Sequence, residues 1–174
     1  GKPLGGSVFH VPGVFTNSHD YSHVLSPEHR AAGYRLLVHD DQSGSHETGD
    51  HDLNAVTATL HHNGKQVGHV SHDIYPQHGK MQGDVSHLDS DHRGKGVGMS
   101  MYEASMAHAK RLGITQMAGG THSTNASAVH SRLSAKHGLE YKPTDSGLKN
   151  PTPVGEKPGA YDNAVQHPGY VLKE

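Results

Sequence analysis

The chain contains no cysteine. That excludes disulfide staples, thiolate metal sites and a cysteine nucleophile. Tryptophan is absent too, and only 32 % of residues are hydrophobic. A core must therefore be built mainly from Val, Leu, Ile, Ala and Met. No apolar run approaches the roughly 20 residues that cross a bilayer as a helix, so no membrane association is expected. No secretory signal pattern opens the sequence Gly-Lys-Pro-Leu-Gly-Gly-Ser. With zero cysteine, this sets the expectation of a reducing, cytoplasmic setting. Charge of one sign is also lacking: the formal net charge is -2 with histidine neutral, and nothing in it indicates nucleic-acid binding.

What the chain has in abundance is histidine, with 19 copies. Unperturbed imidazoles titrate near pH ~6.5, so about half would carry a proton there and net charge would rise by roughly +9. No His-Glu-x-x-His pattern occurs. His61 and His62 are adjacent, and His69 and His72 also fall on opposite faces of a strand. His19 and His23 have helical spacing in a stretch with little helical pattern. No resident metal site is expected from these spacings, only adventitious Zn or Ni binding.

At 174 residues the chain is long enough for one domain with a real core. Residues 1–32 have little periodicity and read as an N-terminal arm, in which Ser26-Pro27-Glu28 can start a short helix ending near Gly33. Tyr34 to His39 reads as a strand, and Asp40 to Asp50 as a polar loop. Leu53 to His61 reads as a second strand. Asn63-Gly64 is a strong hairpin signal leading into a third strand, from Gln66 to about Ile74. Pro76 to Gly79 is a turn, and Met81 to Leu88 a fourth strand. The period then changes. Val97, Met101, Ala104, Met106, Ala107 and Leu112 predict a helix over 96–111, closed by Gly113. A short strand is expected from Ile114 to Ala118. A second helix, capped by Ser123, Thr124 or Asn125, should run to about His137 before Gly138. Leu139 to Lys142 could form one more strand. Pro143 to His167 reads as a loop or arm, and Gly169 to Leu172 as a final edge strand. The expectation is an α+β (layered α/β) domain over 33–142, with a C-terminal arm over 143–174. Its sheet should be mixed, mostly antiparallel, with about six to seven strands and flanking helices.

The segment Arg93-Gly94-Lys95-Gly96-Val97-Gly98 sits between a predicted strand and a predicted helix. Such a junction offers backbone N–H groups with no intrahelical partner, plus the positive end of the helix macrodipole. Its three glycines let the main chain approach an anion closely. Arg93 and Lys95 add positive charge. The pattern suits a phosphate or pyrophosphate. A Walker loop is disfavoured because its Gly-Lys-Ser/Thr ending is missing, and a Rossmann fingerprint because the spacing differs.

This loop resembles the Arg/Gln-x-x-Gly-x-Gly/Ala loop of the GNAT (GCN5-related N-acetyltransferase) superfamily. The resemblance extends to the incoming strand, the outgoing helix, Asn125 near a second helix start, and Lys136-His137-Gly138-Leu139-Glu140-Tyr141. Together these cover about residues 53–142. The resemblance implies acetyl transfer from acetyl-CoA to an amine by direct attack. It implies that the main chain of Leu88, Asp89 and Ser90 meets the pantetheine arm. The amides of Arg93, Gly94, Lys95, Gly96, Val97 and Gly98 would hold the pyrophosphate, and Asn125 would contact the pantetheine region. Asn125 also reads as a plain helix cap. Many members use a Tyr seven residues after that Asn as the thiolate's proton donor. Here that position is Arg132, and counting back from Gly138 gives Ser134. His130, Ser134 and Tyr141 are the substitutes. For the base, Asp84, His87 and Asp89 share the strand that lines the acetyl end, with His87 favoured by its ordinary titration range.

Family members usually carry helices between their first and second strands, shaping the acceptor pocket. With Tyr34 to His39 as the first strand, a short polar loop replaces them. That implies an open acceptor site suited to a macromolecular amine, or to a partner chain such as a second copy in a homodimer. A rival reading keeps the fold but not the chemistry: a degenerate binding or structural module, for example in a virion or larger assembly.

Overall fold

The computed structural model describes residues 15–41, 55–145 and 164–173. The chain divides into two compact units, Gly1–Ile114 and Thr115–Glu174, a boundary placed differently from the domain and arms read from the sequence.

The first unit holds β1 (Phe15–Asp20), a short helix α1 (Pro27–Ala31), β2 (Tyr34–Asp41), β3 (Ala55–His62), β4 (Lys65–Tyr75), β5 (Lys80–Leu88) and the long helix α2 (Val97–Arg111). Strands β1 to β5 pair antiparallel with their sequence neighbours. Register explains the core. Leu36 faces Leu60, Val38 faces Ala58, and Ala58 faces Val70, so these side chains share one side of the sheet. That side is covered by α2, which packs on β2, β3 and β4. Val97, Met101, Ala104 and Ala109 recur at helical spacing and are fully or nearly fully buried. Each large aliphatic side chain removed from water there contributes about 1.5–3 kcal/mol.

The opposite face of the same strands is polar yet buried. His39, Thr57, Thr59, His61, His69 and Ser71 all lie below 9 % exposure. Hydrogen bonds make this tolerable. Ser18 donates to His39 Nδ1 (2.7 Å), His39 Nε2 donates to Thr59 (2.7 Å), and the Thr59 hydroxyl donates to His61 Nε2 (2.9 Å). Thr57 and Ser71 share a further bond of 3.0 Å.

The Asn63-Gly64 hairpin is as expected. Both residues have positive φ, 51° and 84°, the pairing that a two-residue turn with matching twist requires. Between β4 and β5 the register shifts: Ser71 pairs with Val85, but His72 pairs with Gly83. Asp84 is therefore the extra residue of a β-bulge, a device that bends a strand and re-aims its end.

The second unit holds β6 (Gln116–His122), α3 (Thr124–His137), a two-residue β7 (Thr144–Asp145) and β8 (Val165–Val171). β8 pairs antiparallel with both β6 and β7. Gly119 is required here: a Cβ at that position would lie 2.8 Å from main-chain atoms of His167 and Pro168.

The α+β class is as expected, with eight strands among the described residues rather than six to seven. The main correction is β1, which lies inside the stretch read as an arm. It is a polar strand, Phe-Thr-Asn-Ser-His-Asp, paired only with β2 among the described residues, so it carries no alternating apolar signal. The connection from β1 to β2 then carries a 3₁₀ turn (Ser22–Val24) and α1, whose N-cap Ser26 accepts from His29 N–H. β2 runs on through Asp40 and Asp41, where a loop was expected, and residues 42–54 lie outside the described residues. β6 starts at Gln116 and continues to His122. Leu139–Lys142 is not a strand; the nearest extended pairing is β7. The final strand begins at Val165, and the rest of the expected arm, 146–163, lies outside the described residues.

Candidate functional site

The site begins where β5 ends. Leu88 pairs with Gly68, and the Asp89 N–H donates to Val67 O at 2.8 Å. A 3₁₀ turn (Ser90–His92) reverses the chain. Arg93 is extended and its Nε donates back to Leu88 O at 2.8 Å, which closes the turn. Gly94 and Gly96 then adopt positive φ of 74° and 81°, a conformation that L side chains rarely adopt. Gly96 is the N-cap of α2 and provides no side-chain cap. Val97, fully buried, anchors the first turn in the core.

The result is a helix start whose first amides have no intrahelical acceptor and whose first turn holds no acidic residue. A Cβ on Gly94 would meet nothing within 4 Å, so this stretch of main chain is open on its outer side. Arg93 and Lys95 are exposed beside it. The arrangement can bind a compact multivalent anion through N–H groups, helix dipole and two cations.

Sequence reasoning missed what braces this loop. His29, from α1, donates through Nε2 to Lys95 O at 2.9 Å. Tyr34, on β2, donates its hydroxyl to His92 Nδ1 at 2.7 Å. His62 packs on both Tyr34 and His92, with ring centroids at 4.5 and 5.0 Å. Burial, with the nearby charges of His62 and Lys95, holds His92 below the usual imidazole range, so at neutral pH it stays the acceptor that the Tyr34 bond needs. These partners come from β2, β3 and α1, so no local pattern announces them.

Of the expected site residues, Leu88, Asp89, Ser90 and Arg93 through Gly98 form one continuous turn in the first unit. The main chain of Asp89 is committed, its N–H to Val67 and its carbonyl to His92. The Asp89 side chain instead accepts from His87 Nε2 at 2.9 Å. His87 is 41 % exposed at its side chain. The Asp89 carboxylate orients the ring, the arrangement of a base with an orienting carboxylate. Asp84 belongs to the same strand; its side chain lies outside the described residues.

The remaining candidates lie in the second unit. Ser123, not Asn125, caps α3, accepting from Ala126 N–H. Asn125 is the second helical residue and is exposed, so the capping role does not occupy it. His130 is buried on α3, with Tyr170 donating to its Nδ1 at 2.6 Å. Tyr141 donates to Ser127 Oγ (3.1 Å) or to His122 Nδ1 (2.8 Å), and burial raises its phenol above the usual range. His122 stacks between His130 and His167, with centroids at 4.2 and 4.0 Å. Ser134 lies one turn after His130, and its Oγ has no hydrogen-bond partner among the described residues. Arg132 is exposed.

A family model described as the acetyltransferase (GNAT) family matches residues 18–131, well over half of the chain. No curated protein matches the sequence. Among solved structures, the chain is similar to a protein of Klebsiella pneumoniae assigned by name to the acyl-CoA N-acyltransferases. The identity is 13 %, over 90 % of this chain and 97 % of that one, with a TM-score of 0.50. It is also similar to the PaiA N-acetyltransferase of Thermoplasma acidophilum, solved with coenzyme A, at 14 % identity over 67 % of this chain and 60 % of that one, TM-score 0.46. A third is the diaminobutyrate acetyltransferase EctA of Paenibacillus lautus, solved with its substrate and coenzyme A, at 15 % identity over 66 % and 68 %, TM-score 0.47. At 13 % identity the likeness to the Klebsiella protein is one of fold.

Proposed function

Since the chain belongs to the GNAT acetyltransferase family, we propose that it moves an acetyl group from acetyl-CoA to an amine by direct attack. The observation that carries this reading is the loop from Arg93 to Gly98, with its two positive-φ glycines and open N–H groups before α2. Acetyl-CoA supplies an activated acyl group on a thiolate leaving group. The amides of Gly94 to Gly98 hold its pyrophosphate, and Arg93 and Lys95 offset the charge. The family resemblance assigns Asn125, exposed and not the cap of α3, to the pantetheine region.

Direct attack needs two proton movements. The amine must lose a proton as its nitrogen bonds to the acetyl carbon, and the sulfur must gain one as the carbon–sulfur bond breaks. His87, oriented by Asp89, takes the first. For the second, the family resemblance leaves His130, Ser134 and Tyr141 as substitutes; the Ser134 hydroxyl has no hydrogen-bond partner among the described residues, while His130 and Tyr141 are hydrogen-bonded to other side chains. On the acceptor side, only two short helical turns separate β1 from β2. An abbreviated wall of this kind suits an amine on a large molecule.

The test is turnover of acetyl-CoA with a panel of peptide N-termini, lysine peptides, polyamines and aminoglycosides, read as free thiol. Transfer to any amine that falls at least tenfold in His87→Gln supports the reading. A degenerate module is the second reading, favoured by the exposed Arg132 where many relatives have a Tyr. Tight acetyl-CoA binding without turnover on every amine would establish it instead.

A further inference from the structure

We infer that His19, Asp40 and His108 form a binding site for one divalent first-row transition cation, with zinc as the reference ion. The three residues come from β1, β2 and α2, all within the first unit. Their ligand atoms lie within 4.8 Å of one another. The two histidines approach different oxygens of one carboxylate: His19 Nε2 is 3.3 Å from Oδ2, and His108 Nε2 is 2.7 Å from Oδ1. Their rings lean together with centroids 4.4 Å apart.

The donor set fits such an ion. Two imidazole nitrogens and one carboxylate oxygen suit borderline cations and disfavour Ca²⁺ or Mg²⁺, which prefer oxygen alone. Ligands bound at 2.0–2.1 Å in a tetrahedral site sit about 3.3 Å apart. The two histidine–carboxylate spacings, 3.3 and 2.7 Å, lie at and below that value, and no pair of ligand atoms is more than 4.8 Å apart, so modest side-chain movements bring them to it.

The surroundings add support. His108 is nearly fully buried, and its Nδ1 lies 2.9 Å from the Tyr21 hydroxyl. With a cation on Nε2, the ring proton moves to Nδ1 and is donated to Tyr21. Arg111 also donates to that hydroxyl at 3.2 Å. A fixed partner on the far nitrogen is what a metal-ligating histidine ordinarily has. His19, 38 % exposed at its side chain, leaves an entry path and a position for water. The site lies far from the anion-binding loop: His108 is eleven residues beyond the first residue of α2, or ~16 Å along the helix. Its role is therefore to clasp the edge strand β1 to β2 and α2, not to touch the acyl group.

The test uses the full chain stripped by chelator and titrated with Co²⁺. With 19 histidines, weak surface binding is expected, so variants decide. The wild type should take up one tight equivalent with visible absorption of a four-coordinate ion. That absorption should vanish in His19→Ala and His108→Gln and persist in His78→Ala, an exposed control. Zn²⁺ should raise the melting temperature of the wild type and of His78→Ala but not of His19→Ala. His19 is partly exposed, so its variant should fold even if His108→Gln does not. Absence of a tight equivalent overturns the proposal. So does a spectrum and stoichiometry unchanged in His19→Ala, which would mean adventitious ions only.

Discussion

Lowering the pH from 7.5 to 5 should destabilise the first unit by about 4 kcal/mol through two residues, His39 and His69. Both are buried on the polar face of the sheet, at 7 % and 6 % exposure. Burial, assisted by His61 beside the one and His87 beside the other, lowers each from 6.5 to about 4. A depressed histidine stays neutral in the folded chain while its unfolded counterpart takes up a proton. The stability it contributes is thus fully present above pH 6.5 and is lost as pH falls toward 4. At pH 5 the unfolded imidazole is almost wholly protonated and the folded one about one tenth so. The difference is about 2 kcal/mol per residue. Two such losses are a large share of the 5–15 kcal/mol that typically holds a domain together. Urea unfolding followed by circular dichroism should show the midpoint falling by about 2 M between pH 7.5 and 5, for a slope of ~2 kcal/mol/M. The pH slope near 5 should correspond to about two protons taken up on unfolding from these groups. His39→Gln keeps a hydrogen-bonding side chain without the titration and should lower that slope by about one proton. A midpoint that moves by less than the equivalent of ~1 kcal/mol would refute the reasoning. It would mean that the folded chain accommodates these charges.

Two further predictions follow from the second unit and the site. Gly119→Ala should destabilise by about 1–3 kcal/mol, because its methyl would press on main chain at His167 and Pro168 that cannot move aside cheaply; a melting temperature equal to wild type would contradict that packing. His87→Gln should lower kcat at least tenfold with little change in acetyl-CoA affinity, and should flatten the low-pH limb of kcat/KM. Asp89→Asn should lower kcat less, since it disturbs only the orientation of the ring. Equal pH profiles in wild type and His87→Gln would remove His87 from the chemistry.

Features written in consecutive residues were legible in the sequence. The candidate loop from Arg93 to Gly98 is six residues long and is shaped by main-chain conformation, so its glycines announce it in the sequence. The Asn63-Gly64 hairpin is local in the same way, and of the three caps the sequence offers for α3, Ser123, Thr124 and Asn125, the structure uses Ser123. β1 was illegible because it is an edge strand whose composition is polar, with Phe15 itself 40 % exposed. With β1 as the first strand, a 3₁₀ turn and α1 lie between the first two strands, where the sequence predicts a polar loop. The bracing of the loop by His29, Tyr34 and His92 joins residues up to 66 positions apart, and only the fold brings them together. The same holds for His19, Asp40 and His108. Composition treated every histidine as titrating near its ordinary value. Burial lowers His39, His69, His92, His108, His122 and His167, so the positive charge gained near pH 6.5 is smaller than a count implies.

The central claim is that the Arg93–Gly98 loop holds the pyrophosphate of acetyl-CoA. Gly94 is the place to test it, because its φ is 74° and nothing lies within 4 Å of an added Cβ. Asp and Asn both tolerate that conformation better than most side chains, so Gly94→Asp adds a charge and Gly94→Asn supplies the neutral control. Calorimetric titration with acetyl-CoA should show binding to the wild type at micromolar concentrations. Affinity should fall at least tenfold further in Gly94→Asp than in Gly94→Asn, with melting temperatures of the two variants alike. Equal affinities in the two variants, or no binding of acetyl-CoA by the wild type, would contradict the account.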